Sequence, residues 1–418
     1  MDFSGLAPAD ILLPAPSVDL EKWAVVACDQ YTADPAYWRR VEQHVGDAPS
    51  ALRLIYPEIY LEQGLGRIPE IQGAMRRYLR EGVLCAAVSQ GFAFIRRVTQ
   101  SGPRPGLMAA LDLECYDYRP GSVSLARATE GAILSRIPPR MKIRTGAALE
   151  SPHVMLLLDD PGDTVLGPLE RACAGKAPLY DTPLMEGGGQ ITGWAVTEEA
   201  LMAGLAQALS ALRAQSGGLL YAVGDGNHSL ATAKACWEAR KKALSPAAQA
   251  QDPARYALVE LVNLHAPALR FEPIHRVLFH SRGPELLQAF EGWLAARGWA
   301  AAPGNEIVFV QDGWEAGVSL AGTQGLLPVS VLQAFLDEFL ASRPGAALDY
   351  IHGEPDVRAL AQGENVGMLL QGMKKSALFP GIRAGGVLPR KTFSMGHAWE
   401  KRYYMECRRL APQETRKT

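Results

Sequence analysis

The chain has 418 residues, 48% of them apolar and 21% charged, with a formal net charge of −2 at pH 7. That length exceeds one ordinary core and sets an expectation of two or three domains. The near-neutral balance gives no general attraction to nucleic acid or an acidic membrane surface, and no apolar run reaches the roughly 18 residues of a spanning helix.

In chain order, Asp34-Pro35 reads as an N-cap with proline at the first helical position, opening a helix that carries Tyr37, Trp38 and Val41. Ile68 to Arg80 reads as a second helix. A hairpin is expected from Phe92 to Val98 and Leu107 to Leu113, joined by Ser-Gly-Pro-Arg-Pro-Gly. Ala126 to Leu134 reads as helical, followed by a basic piece with Arg136, Arg140, Lys142 and Arg144. Val154 to Leu158 is a continuous apolar run, the pattern of a buried strand. Leu201, Leu205, Leu209 and Leu212 keep helical spacing up to Gly217-Gly218. Strand signals at Tyr256 to Leu264 and Ile307 to Val310 alternate with helix signals at Leu287 to Leu294 and Val331 to Leu340. The fold class this implies is mixed α/β (α+β), divided at 1–150, 151–255 and 256–418.

The densest signal is Gly224-Asp225-Gly226-Asn227-His228-Ser229, between the apolar run Leu219 to Val223 and a helical pattern starting at Leu230. A strand, a tight glycine turn and a helix start make a natural anion site, because glycine admits close approach and the first helical N–H groups point outward. The plainer alternative is that Asp225 or Asn227 caps the helix and the glycines only make the turn. A Rossmann fingerprint fails, since Ser229 stands where the third glycine belongs and no strand occupies 243–247. A Walker A loop fails at Gly175-Lys176-Ala177, which lacks the hydroxyl for magnesium. No Asp-x-His, H-E-x-x-H or G-x-S-x-G is present.

Among the eight histidines, His275 in Phe271-Glu-Pro-Ile-His-Arg276 reads as a core histidine ahead of a catalytic one, and His153 after Pro152 has the same ambiguity. Glu130, in Arg127-Ala-Thr-Glu-Gly131, reads as a base or as a first-turn carboxylate. Residues 372–418 carry eleven Lys or Arg against three Glu. Such a run is usually a solvated face, although its Pro-Arg-Lys-Thr turn at 389–392 suits a phosphate. The six cysteines form no C-x-x-C pair, and the start Met1-Asp2-Phe3-Ser4-Gly5 has no export-signal pattern, so a cytoplasmic protein is expected.

Together these segments resemble one family. Asp225-Gly-Asn-His-Ser229 is similar to the D-G-H-H-R signature of the Domain of Unknown Function 1015 family. Tyr56-Pro57-Glu58, Arg127–Gly131 with Arg136-Ile-Pro-Pro-Arg140, Ser151-Pro-His153, Pro273-Ile-His-Arg276 and Pro389-Arg-Lys-Thr-Phe393 follow the family in order. Its turn in turn resembles that of ADP-dependent free serine kinases, which implies a ParB/sulfiredoxin-like nucleotide-binding core with additional α/β regions. The chain departs from the signature at Asn227 and at Ser229, where an arginine is lost, and with it a bidentate donor.

The resemblance implies a nucleotide-dependent phosphotransferase acting on a small hydroxylated metabolite, free serine first, with ADP or ATP and magnesium. Asp225, Gly226, Asn227, His228, Ser229, Arg140 and Arg390 would bind nucleotide. Asp225 would also meet the metal, and Glu130, His228 and Lys391 would be catalytic. Two rivals are a ParB-like nucleotide-gated DNA-binding protein and a catalytically inactive nucleotide sensor. The partners expected are small molecules, not membrane, with nucleic acid disfavoured.

Overall fold

The computed structural model describes residues 1–31, 34–57, 59–60, 64–151, 153–343 and 345–410. Glu58 and Pro152, which belong to two of the motifs above, lie outside the described residues. The chain divides into two compact units, Met1–Leu269 with the residues from His397 onward, and Arg270–Gly396. The three consecutive regions expected from loops and glycines do not match this division. Compactness follows strand pairing, and pairing draws the last residues to the first 269 rather than to their sequence neighbours.

The first unit is built on an 11-stranded sheet. Its path runs Tyr116–Asp117, Ala126–Ala128, Tyr221–Asp225, Met155–Leu158, Tyr256–Asn263, Gly102–Asp112, Leu84–Thr99, Gly189–Val196, Tyr180–Leu184. Met155–Leu158 is fully buried, as its unbroken apolar run requires. The helix Pro35–Val45 is capped by Asp34, whose carboxylate accepts from the Ala36 and Tyr37 amides. The helix Ile68–Arg80 buries Ile71, Ala74, Met75 and Tyr78 on one face.

Two sequence expectations change here. Ala126–Ala128 is a strand paired in parallel with Tyr221–Val223, not the start of a helix, and the helix begins only at Ile137. Alanine is a good helix former, but propensity is a weak prior that a place between two paired strands overrides. The hairpin is tighter than expected, with Thr99 opposite Gly102 and the prolines inside the second strand. Pro103 and Pro105 precede Gly106, where pairing with Tyr256–Asn263 begins, so their missing N–H groups fall on the strand's open edge.

The C-terminal residues form a strap knitted into the first unit. The Trp23 indole donates to the Met405 carbonyl (3.0 Å), Tyr404 N to Val25 O (2.8 Å), Cys407 N to Leu12 O (3.0 Å) and the Tyr403 hydroxyl to Met185 O (2.7 Å). Arg97 donates to the carbonyls of Gly188, Trp399 and Lys401. Arg402, 2% exposed, pairs with Glu260 (2.7 Å) and Glu406, and Arg408 pairs with Glu150 (2.6 Å). The basic run is therefore not a solvated face over this stretch. Lys401, Arg402 and Arg408 are buried against carboxylates and carbonyls.

The second unit has a six-stranded sheet, in order Trp314–Ala321, Ala300–Gln311, Asn365–Leu370, Phe271–Phe279, Ala347–His352, with Phe393–Met395 beside Phe271–Phe279. Helices Gly283–Ala295 and Pro328–Ala341 supply Leu286, Phe290, Leu294, Leu332, Phe335 and Leu336 to its core. Alternation of strands and helices in both units is the mixed α/β class expected. Among the described residues, no helix is long and apolar enough to cross a membrane.

Candidate functional site

The strand Tyr221–Asp225 runs into the helix Asn227–Arg240 through the single residue Gly226. Gly226 has φ +82°, and a Cβ there would lie 2.9 Å from Val154 Cγ2 and 3.1 Å from Val154 Cα. Both the left-handed backbone and the close pass over Val154 demand glycine.

The plain capping alternative does not account for this turn. No side-chain cap bond closes the helix start. Asp225 Oδ1 instead accepts from the Gly226 amide (2.8 Å), and the Asn227 side chain faces another loop. The Gly226 amide is thus engaged by its neighbour, which narrows the expected cradle to the amides from Asn227 onward. The amides of Asn227 and Ser229 have no acceptor within the helix, because the first turn never supplies one.

The loop that follows Ala126–Ala128 is pinned to this turn. Asn227 Oδ1 accepts from Thr129 N (3.2 Å) and Asn227 Nδ2 donates to Thr129 Oγ1 (3.2 Å), while Thr129 Oγ1 donates to Val223 O (2.6 Å). His228 Nε2 accepts from Ile133 N (3.2 Å). Glu130 lies between these two anchors, so its loop is brought to the turn from 98 residues away, the separation of Thr129 and Asn227. With Nε2 accepting, any proton His228 gives to a ligand must come from Nδ1. Asn227, the residue that departs from the commoner histidine, suits its place because an amide can donate and accept at once, as Thr129 requires.

On the other side of the turn, His153 Nε2 lies 3.5 Å from Ser229 Oγ, and its Nδ1 lies 2.5 Å from the Tyr404 hydroxyl. Lys401 Nζ lies 3.4 Å from Asp225 Oδ2, with its side chain 11% exposed. Burial pushes the Cys28 thiol up to about 11, with Lys401 opposing and Asp225 adding to the shift. Cys28 therefore sits near this ion pair as a protonated thiol. Sequence reading missed Lys401 and Tyr404: both belong to the strap, about 175 residues beyond the turn, and only a basic run marked the region.

Arg140 lies on the helix Ile137–Arg144, where its guanidinium donates to Arg136 O (3.1 Å). Arg390 and Lys391 belong to the second unit. There buried Arg276 donates to Lys391 O (2.9 Å) and Arg390 O (3.4 Å), and Arg390 donates to the Tyr350 hydroxyl (3.2 Å). Lys391 takes φ +57°, an uncommon backbone for lysine that Arg276 helps to hold. Within the first unit 127–131 meets 225–229, with His153 beside Ser229, and within the second unit 273–276 meets 389–393. His275 is a core group, accepting from Leu370 N (3.1 Å) with its pKa lowered by burial.

Among the described residues, no group of three or more His, Cys, Asp or Glu is placed to hold a metal. Magnesium carried on a nucleotide needs only one or two protein carboxylates, and at the turn the Asp225 carboxylate is paired with Lys401.

The family model of DUF1015, described as a protein of unknown function, matches residues 10–376. The chain belongs to that family. No curated protein matches. Among solved structures, a free serine kinase mutant in complex with ADP is 10% identical, with TM-score 0.39, over 72% of this chain and 91% of that one. A conserved hypothetical protein from Pyrococcus furiosus is 10% identical, with TM-score 0.36, over 73% and 95%. C-terminally truncated SbnI from Staphylococcus aureus is 9% identical, with TM-score 0.35, over 69% and 82%.

Proposed function

We propose that this member of the DUF1015 family is a nucleotide-dependent phosphotransferase whose acceptor is a small hydroxylated metabolite, free serine being the first to test. The observation that carries the reading is the glycine turn: an α-helix of 14 residues starts without a side-chain cap, beside a buried lysine and a histidine fixed from outside the helix. Phosphoryl transfer asks mainly for positioning and charge stabilisation, and such a turn supplies both.

In this reading the amides of Asn227 and Ser229 receive phosphate oxygens at the positive end of the helix. His228 donates from Nδ1, and Lys401 is the cation. Glu130, in the loop anchored at Thr129 and Ile133, takes the proton of the acceptor hydroxyl. Arg140 adds positive charge on the adjoining helix. Asp225 would hold magnesium carried by the nucleotide, which would supply charge neutralisation of the phosphate.

The loss of an arginine at Ser229 favours one other reading, a nucleotide sensor without turnover. Calorimetric titration with ADP and ATP, followed by nucleotide turnover with and without a panel of hydroxylated amino acids, separates the two. Acceptor-dependent turnover supports the phosphotransferase. Binding without turnover supports the sensor, and absence of nucleotide or phosphate binding refutes both.

A further inference from the structure

Ser229, His153 and Tyr404 come from three distant parts of the chain and meet in one line. Ser229 Oγ lies 3.5 Å from His153 Nε2, and His153 Nδ1 lies 2.5 Å from the Tyr404 hydroxyl. The two rings meet edge to face, 5.3 Å between centroids and 68° between planes. A hydroxyl, an imidazole reaching it, and a third group orienting the imidazole is the arrangement of an activated nucleophile, and such bonds are often long before substrate arrives.

Each member is held by packed backbone. Ser229 is the third residue of the helix after Gly226, and the residue following His153 is Val154, 3% exposed and packed close to Gly226. The strap fixes Tyr404 through the hydrogen bond that its amide N–H donates to Val25 O (2.8 Å) and fixes Lys401 three residues earlier beside Asp225 (3.4 Å). The hydroxyl therefore stands at the positive end of a helix with a cation across the same turn, where an attacked phosphate group would be stabilised.

We propose that Ser229 is a covalent phosphoryl acceptor, with His153 as its base and Tyr404 as a positioning residue. The proposal rests on the nucleotide-binding reading above and adds an intermediate to it. With His153 Nδ1–H donating to the Tyr404 oxygen, Nε2 presents its lone pair to Ser229. The Ser229 proton passes to Nε2 as Oγ bonds to the terminal phosphorus of a nucleoside di- or triphosphate. The bond from that phosphorus to the bridging oxygen breaks, and its electron pair leaves with the shortened nucleotide. A metabolite hydroxyl then attacks the phosphoserine, Glu130 takes its proton, and Ser229 Oγ recovers a proton from His153. An arginine at position 229 could not do this, so the departure from the family signature becomes a change of role.

The test incubates the full chain with ADP or ATP labelled in the terminal phosphate, then maps label by tandem mass spectrometry. Wild type should carry label on Ser229, chased off by the acceptor, and Ser229→Ala should carry none while melting normally. Ser229→Thr, which keeps a hydroxyl there, should still take label. His153→Ala should slow labelling on the order of 10²–10⁴-fold. Tyr404→Phe should move the pH profile of labelling, which a purely structural role would not. Wild type that binds and turns over nucleotide without labelling Ser229 overturns this proposal and leaves the phosphotransferase standing. Label that persists in Ser229→Ala also overturns it. Wild type that binds no nucleotide overturns both.

Discussion

Replacing Gly226 by alanine is the sharpest probe of the turn, because its cost follows from geometry alone. At φ +82° an L side chain is strained, at about 1–2 kcal/mol. The added Cβ would also meet Val154 Cγ2 at 2.9 Å and Cα at 3.1 Å, and overpacking of a well-filled site costs about 1–3 kcal/mol. Gly226→Ala should therefore lose about 2–5 kcal/mol in urea unfolding, a large part of a typical domain's stability. The two contributions can be separated by combining it with Val154→Ala. That change relieves the crowding against Cγ2 but leaves both the close approach to the Val154 backbone and the strain at Gly226. A double-mutant cycle should thus show favourable coupling of about 0.5–3 kcal/mol, with at least the strain remaining. Gly226→Ala within about 0.5 kcal/mol of wild type would refute the geometry of the turn.

The remaining expectations concern residues that share a type but not a role. His228→Ala should weaken nucleotide binding by roughly ten- to hundred-fold, as loss of a charge-assisted bond does, whereas His275→Ala should lower the melting temperature and leave affinity near wild type; calorimetry with melting curves compares them, and equal affinities in both variants would count against the site. Burial lowers the folded pKa of His275 from its ordinary 6.5. The unfolded chain then binds more protons below about pH 6.5, so His275 contributes stability above that pH and loses it as pH falls toward the folded pKa. His275→Gln should flatten that part of the stability–pH curve, and an unchanged slope would sink the assignment. Glu150 is fully buried; burial would raise its pKa, but Arg408 and Arg144 outweigh this and lower it. Glu150→Gln strands two guanidiniums and should cost about 3–5 kcal/mol in chemical denaturation, releasing the strap; a loss under about 1 kcal/mol would show the pair to be dispensable.

Those pieces whose causes are local could be read directly along the chain. The run Leu219 to Val223 followed by glycine and helical spacing pointed to a strand, a tight glycine turn and a helix, because φ freedom and periodicity act within a few residues; the structure narrows the turn to Gly226. Asp34-Pro35 marked a helix start for the same reason, and His275 between apolar neighbours was legible as core. Ala126–Ala128 was misread because alanine's local helix preference yields to tertiary pairing, and its strand state comes from a partner 95 residues away, Ala126 opposite Tyr221. The family motifs were legible as separate segments, yet which of them touch was decided by folding: Thr129 with Asn227, Ile133 with His228, His153 with Ser229. Lys401 and Tyr404 were invisible as site residues. A basic run looks solvated until the strap is seen buried in the first unit, where pairing with Asp225, Glu260 and Glu150 offsets the cost of taking charge out of water. Periodicity and turn chemistry are written along the chain, whereas the meeting of distant charges is a property of the packed core and exists only once the strap has closed on it.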